Sequence, residues 1–123
     1  MNDQLHYKTI VEIASMIRDK EISPVEVTES QLRRIDEIDG RLRSYATLMA
    51  DEAMDRARAA EAEIMAGRYR GVLHGVPLAV KDLCDTAGVL TMGGSAVFAD
   101  RMPDADSTVV ERFYGAGAIL LGK

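Results

Sequence analysis

Leu73-His74-Gly75-Val76-Pro77-Leu78-Ala79-Val80-Lys81-Asp82 decides how the rest of the chain is read. Val76–Val80 is an apolar run bounded by a glycine and by charge, the pattern of a buried strand. Pro77 stands near its start, where a missing N–H is tolerated. Lys81 follows the run directly. From spacing alone, the simpler reading is a strand-end lysine reaching solvent.

The sequence changes character around this stretch. Residues 1–70 hold two of the ten glycines, and residues 71–123 hold the other eight. The first part is therefore expected to be mainly helical, and the second to be strands and turns. Thr9-Ile10-Val11-Glu12 is a capping box, in which Thr and Glu satisfy each other's exposed amides. Ile10, Ile13, Ala14 and Ile17 follow at helical spacing. Ser23-Pro24-Val25-Glu26 is a second box, with proline at the first helical position. Val27, Leu32, Ile35 and Ile38 continue it, and Gly40 is the expected stop. Ser44–Met49 suits a short strand. Asp51–Ala66 suits a third helix, with Ala53, Ala57, Ala60 and Ile64 on one stripe and Gly67 as its end.

After Lys81, residues 83–105 show no periodicity and carry Gly88, Gly93, Gly94 and Pro103. Such long loops are often functional. Asp106 or Ser107 then caps a helix over Thr108–Tyr114, with Asp106 the better cap. Ala118–Leu121 is a last apolar strand. A buried strand as the final element leaves an unfinished sheet edge, so a chain cut within a domain is expected.

Composition narrows the classes. The chain has 123 residues, 47% of them hydrophobic, which suits one domain with a core. A net charge of -5 argues against a general nucleic-acid face. The densest basic spots, Arg33-Arg34 and Arg41/Arg43, are interleaved with acids and read as solvated helix surface. Cys84 is the one cysteine, so no disulfide forms within the chain, which fits a reducing compartment. Met1-Asn2-Asp3-Gln4 lacks the basic and apolar regions of a signal peptide, and no apolar run reaches the length of a membrane span. A cytoplasmic protein without membrane association is expected.

Leu73–Asp82 closely resembles the lysine strand of the amidase-signature family. Asp106-Ser107-Thr108-Val109-Val110 and Gly115–Lys123 resemble the helix and strand that follow it there, and Ile22–Val27 resembles an early helix entry. The likeness covers nearly the whole chain in order. It implies an α/β fold, the N-terminal part of a mixed sheet covered by helices. Residues 1–123 would then be the N-terminal portion of one amidase domain: 1–70 mainly helical, and 71–123 the lysine strand, loop, helix and strand. It also implies a Ser–cis-Ser–Lys triad with Lys81 as general base, a small-molecule amide substrate, and no metal or organic cofactor. The family's serines lie in a glycine- and serine-rich stretch downstream of these residues, so the chain alone is expected to be inactive.

A lysine suits that chemistry only when neutral. Serine needs a base to attack an amide, and the leaving amine needs a proton. An ordinary lysine has a pKa near 10.4, so at pH 7 only about one in 2,500 is neutral. Bringing it near 7 takes roughly 4–5 kcal/mol against the ammonium, usually from burial. Without the covering elements, Lys81 is expected to be solvated and charged.

Two other readings stand beside the amidase. One is the glutaminase component, the A chain, of a glutamyl-tRNA(Gln) or aspartyl-tRNA(Asn) amidotransferase, which would bring partner subunits and a nucleic acid. Those components usually resemble Lys-Asp-Asn after the strand, whereas this chain has Lys81-Asp82-Leu83, a weak tilt toward a stand-alone amidase. The other is a non-catalytic α/β binding or scaffold module. Oligomeric state is left open by the sequence.

Several signals carry less. Gly117–Lys123 has the G-x4-G-K spacing of a phosphate loop, but Ala-Ile-Leu-Leu inside it reads as strand, and the following Ser/Thr is lacking. Cys84 lies three residues after Lys81, yet reads as a small half-buried residue. His74 reads as structural or loosely exposed, and Gly93-Gly94-Ser95 as a turn. No cluster has metal-ligand spacing.

Overall fold

The structure, a computed structural model, describes residues 4–123. The reading of the polar start therefore lies outside the described residues for Met1, Asn2 and Asp3. Helix α1 spans Ile10–Arg18, α2 Pro24–Leu42 and α3 Ala50–Met65. Strand β1 is Pro77–Ala79, α4 is Thr108–Gly115 and β2 is Ile119–Gly122. Short 3₁₀ turns at Leu5–Tyr7 and Ala96–Phe98 complete the order, and neither shows as a pattern in the sequence.

Both capping boxes form with both of their bonds. Glu12 N–H donates to Thr9 Oγ1 at 3.3 Å, and Thr9 N–H donates to Glu12 Oε2 at 2.7 Å. Glu26 N–H donates to Ser23 Oγ at 3.1 Å, and Ser23 N–H donates to Glu26 Oε2 at 2.8 Å. The expected stop of α2 at Gly40 is wrong. The helix runs through Gly40 to Leu42, and Arg43 caps it in the left-handed region, φ 52° and ψ 46°. Asp39 makes this possible, because its carboxylate accepts from Ser44 N–H at 2.7 Å and from Tyr45 N–H at 3.4 Å. A left-handed residue followed by captured amides is the usual way a helix satisfies its end.

The sheet is small and largely covered. β1 pairs in parallel with β2: Pro77 with Ile119, Leu78 with Leu120, and Ala79 with Gly122. The register slips between Leu78 and Ala79, leaving Leu121 as an extra residue on β2. Such a bulge bends the strand and re-aims the side chains after it. On the other side of β2, the chain at 46–49 runs antiparallel. Leu48 forms a bridge with Gly122, and Met49 N–H donates to Leu121 O at 2.8 Å. The expected strand over Ser44–Met49 is thus an extended segment carrying a single bridge.

Alternation on β2 divides the core. Ile119 and Leu121 pack with Ala53 and Ala57 of α3 and with Val25, Leu32 and Ile35 of α2. Leu120 packs the opposite way, with Val110 of α4, Met49, Val80 and Leu78. Burial on both faces explains why Ala118–Leu121 is a continuous apolar run. The alanines at 53 and 57, both 0% exposed, let α3 approach the strand closely. A third cluster, Leu5, Ile13, Ala14, Ile17, Val27, Ile64 and Val76, joins the helices to the entry of β1. Tyr114 ties α4 to α3 by donating to Glu52 Oε1 at 3.3 Å, with the Arg56 guanidinium 3.5 Å above its ring. Burial, aided by Glu52, pushes its phenol up to about 12.

Candidate active site

The turn before β1 is fixed by His74. Arg70 N–H donates to His74 Nδ1 at 3.0 Å, so the proton of the neutral ring sits on Nε2. Nε2 faces Glu63 Oε2 at 3.2 Å. Glu63 also takes a two-pronged bond from Arg70, at 2.6 and 2.8 Å. His74 is 1% exposed, which settles its reading as structural. Burial lowers its pKa below the ordinary 6.5, against the raising effect of Glu63. The ring lies over Gly117, and Gly75 N–H donates to Gly117 O at 2.9 Å. Gly75 has φ +79°, and a Cβ there would stand 2.6 Å from Pro24 Cγ. The turn therefore needs glycine both for its backbone and for its closeness to α2.

β1 then delivers Lys81. Val80 N–H donates to Gly122 O at 3.2 Å, extending the pairing one residue beyond the strand. Lys81 O accepts from Cys84 N–H at 2.9 Å, which turns the chain sharply. Ala79 and Lys81, two apart, are both exposed, while Val80 between them is buried. Lys81 lines an open pocket of about 420 Å³ with Ser44, Tyr45, Ala46, Ala79, Val80, Asp82 and Lys123. Cys84 is half-buried against Val80 and Leu120, as its spacing suggests.

The stretch without periodicity is well tied. Gly93 N–H donates to Asp82 O at 2.8 Å, and Met92 N–H to Asp82 Oδ2 at 3.3 Å. Gly88 N–H reaches Pro103 O and Thr91 N–H reaches Arg101 O, each at 2.9 Å. Arg101 grips Asp85 with both arms at 2.7 and 2.8 Å. The Arg101 guanidinium holds the Asp85 carboxyl below its usual range. Asp106 is not the cap of α4, contrary to the expectation from sequence. Its Oδ1 accepts from Ala87 N–H at 2.7 Å, binding the two ends of the loop, and Ser107 stands at the N-cap without a side-chain bond. Ser95 Oγ accepts from Val97 N–H at 3.3 Å and so serves a turn.

Lys123 is a residue that sequence reasoning misses, since in the sequence it figures only as the end of a phosphate-loop spacing. The structure buries Lys123 to 4% exposure. Its Nζ donates to Thr91 Oγ1, itself in a residue 1% exposed. Its backbone pairs with the 46–47 segment: Lys123 N–H donates to Thr47 O at 2.9 Å, and Lys123 O accepts from Ala46 N–H at 2.7 Å. Burial lowers the Lys123 pKa from the ordinary lysine value, while Asp82 and Asp85 favour the ammonium. Asp82 Oδ1 is buried and accepts no hydrogen bond among the described residues. No group of three or more His, Cys, Asp or Glu side chains among those residues is placed to hold a metal. No helix among them is long and apolar enough to cross a membrane.

Fold and site together define an α/β protein that presents a lysine just beyond the end of a parallel strand into an open pocket. The chain belongs to the amidase family, whose description is Amidase and whose sequence profile matches residues 26–123. It is 47% identical over 121 residues to AmiD of Mycobacterium tuberculosis, which carries the name of a putative amidase. That match covers 98% of this chain and 26% of AmiD. It is 42% identical to the A chain of the glutamyl-tRNA(Gln) amidotransferase of Moorella thermoacetica, over 98% of this chain and 25% of that one. Among solved structures, native peptide amidase from Stenotrophomonas maltophilia superposes with a TM-score of 0.88 at 34% identity, over 94% of this chain and 24% of that one. The chain thus spans about a quarter of the length of the relatives it matches, and its fold is that of the N-terminal part of the amidase-signature enzymes.

Proposed function

We propose that residues 1–123 are the N-terminal portion of one amidase domain and that Lys81 is the general base of its Ser–cis-Ser–Lys triad. The parent would hydrolyse a carboxylic amide through a seryl acyl-enzyme in the cytoplasm. The observation that carries this reading is the exposed lysine that follows the strand paired with the buried β2, lining an open pocket in a chain of this family. A side chain there is open to elements supplied by the rest of a domain. Covered by them, a neutral Lys81 would take the proton of the bridging serine, which takes that of the other serine as it attacks the carbonyl. It would then return that proton toward the departing amine. The chain's own residues do the positioning: the β2 bulge and the Lys81–Cys84 turn aim the side chain, and the His74 turn fixes the strand's entry.

The test uses a full-length amidase beginning with these residues. Lys81→Ala should lower amide turnover by at least about a thousandfold, the scale of losing a triad member. Its exposed side chain predicts a near-normal unfolding midpoint. Retained turnover removes the assigned role. The 123-residue chain alone should release no ammonia or amine.

A second reading, the glutaminase component of a tRNA-dependent amidotransferase, is favoured by the 42% identity to such a chain. The two separate on substrate. Ammonia release that is confined to glutamine and rises with partner subunits supports the amidotransferase, and hydrolysis of simple amides by the single chain supports the amidase.

A further inference from the structure

A buried ammonium is a poor way to stabilise a fold. Removing a charge from water is costly unless close partners compensate. Among the described residues, Lys123 Nζ gives one hydrogen bond, and it goes to a neutral hydroxyl, Thr91 Oγ1; Asp82 and Asp85 favour its charge without bonding it. An apolar side chain of the same length would fill the space with less penalty. Stability is thus a weak reason for a lysine here, and the location supplies another. Lys123 lies in the wall of the Lys81 pocket, beside Asp82. From it a continuous set of bonds runs back to Lys81. Nζ holds Thr91; the next two amides, Met92 and Gly93, bind the side chain and the carbonyl of Asp82; and Asp82 adjoins Lys81. The Lys123 backbone also bonds Ala46, another residue of the pocket lining, and its neighbour Thr47. One residue therefore ties the Asp82 stretch and the Ala46 stretch of the pocket lining together.

We propose that Lys123 is a positioning residue for Lys81, acting through Thr91 and Asp82 rather than by touching substrate. This rests on Lys81 being the base. It adds that the wall behind that base is held by a buried lysine kept for geometry at the expense of stability.

The experiment is steady-state kinetics and thermal unfolding on the full-length amidase, with Lys123→Met, Thr91→Val, Thr91→Ser and the Lys123→Met/Thr91→Val pair. Lys123→Met keeps chain length and Thr91→Val keeps shape. Each should lower kcat about 10- to 100-fold, the range for a small misplacement of a reacting group, with KM changed less than about twofold. The double variant should be no worse than either single one, because both cut the same link. Thr91→Ser, which keeps the hydroxyl, should recover kcat to within about threefold of the original. The unfolding temperature of Lys123→Met should be equal or higher. Unchanged kcat in Lys123→Met and Thr91→Val overturns the proposal. So does loss of folding in both, which would place the contact in stability alone, and so does a KM rise at constant kcat. Lys81→Ala run in parallel keeps the two ideas apart: if it retains turnover, the base assignment fails regardless of the Lys123 series.

Discussion

Gly117→Ala is the sharpest test of how the turn before the lysine strand is built. Gly117 has φ +81°, and a Cβ on it would fall on His74 Cδ2, with Cγ at 3.1 Å and the backbone Cα at 3.3 Å. Two penalties combine. A non-glycine residue in the left-handed region costs about 1–2 kcal/mol. The imidazole must also move, and it is 1% exposed and bonded at both nitrogens. Overpacking of a filled site costs about 1–3 kcal/mol. The total expected is about 2–5 kcal/mol, a large share of the roughly 5–15 kcal/mol that holds a domain folded. With a urea slope of about 1–3 kcal/mol per molar, the unfolding midpoint should fall by about 1 M or more. Gly88→Ala is the matched control, since Gly88 has φ +70° and nothing within 4 Å of its added Cβ. It should show the backbone penalty alone. In a His74→Ala background, Gly117→Ala should shrink toward the Gly88→Ala value. A Gly117→Ala midpoint equal to that of Gly88→Ala in the original background would refute the contact with His74.

Three further outcomes follow from the same contacts. His74 has its folded pKa below 6.5, so the unfolded chain takes up its proton first; the stability tied to the neutral ring is complete above that value and declines as pH falls from about 6.5 toward the folded value. Urea midpoints between about pH 7.5 and pH 5 should fall, and His74→Gln should flatten that fall; an unchanged slope counts against the assignment. Ser23→Ala should cost about 1 kcal/mol in chemical unfolding, whereas Ser107→Ala should be neutral or slightly stabilising, because the Ser107 hydroxyl is buried and makes no cap bond. Asp85→Asn removes one side of the two-armed pair with Arg101 and should speed limited proteolysis within 86–104; equal cleavage rates would mean that the backbone bonds hold that stretch unaided.

What is legible in the sequence is local. Thr9 and Ser23 announce their helices because a capping box is complete within four residues, and both boxes form as read. The apolar runs at Val76–Val80 and Ala118–Leu121 both announce strands; the second is buried on both faces and has no polar position, while the first leaves Ala79 exposed. The end of α2 escapes such a reading because glycine is the commoner stop. Gly40 has open space around it and stays helical, and the stop comes from Asp39 catching two later amides. The stretch after Lys81 looks unstructured because its order comes from pairs such as Gly88 with Pro103 and Ala87 with Asp106, too far apart to leave a period. Lys81 stands out by its flanking pattern. Lys123 does not, since a lysine after a strand looks the same whether it meets water or Thr91. A Gly-Lys pair ending a doubly buried strand is the available hint.

The parallel pairing of β1 with β2 also governs timing. Pro77 and Ile119 are partners across a connection of about forty residues, and closing a loop of that length costs chain entropy before any ladder bond is gained. Helices α1 to α3 need no such closure, since each forms on contacts close in sequence. In a chain emerging from the ribosome amino end first, β1 therefore exists for some forty residues as a strand without its parallel neighbour. The segment that carries Lys81 is made early and fixed late, and it waits for Ile119–Gly122 to arrive.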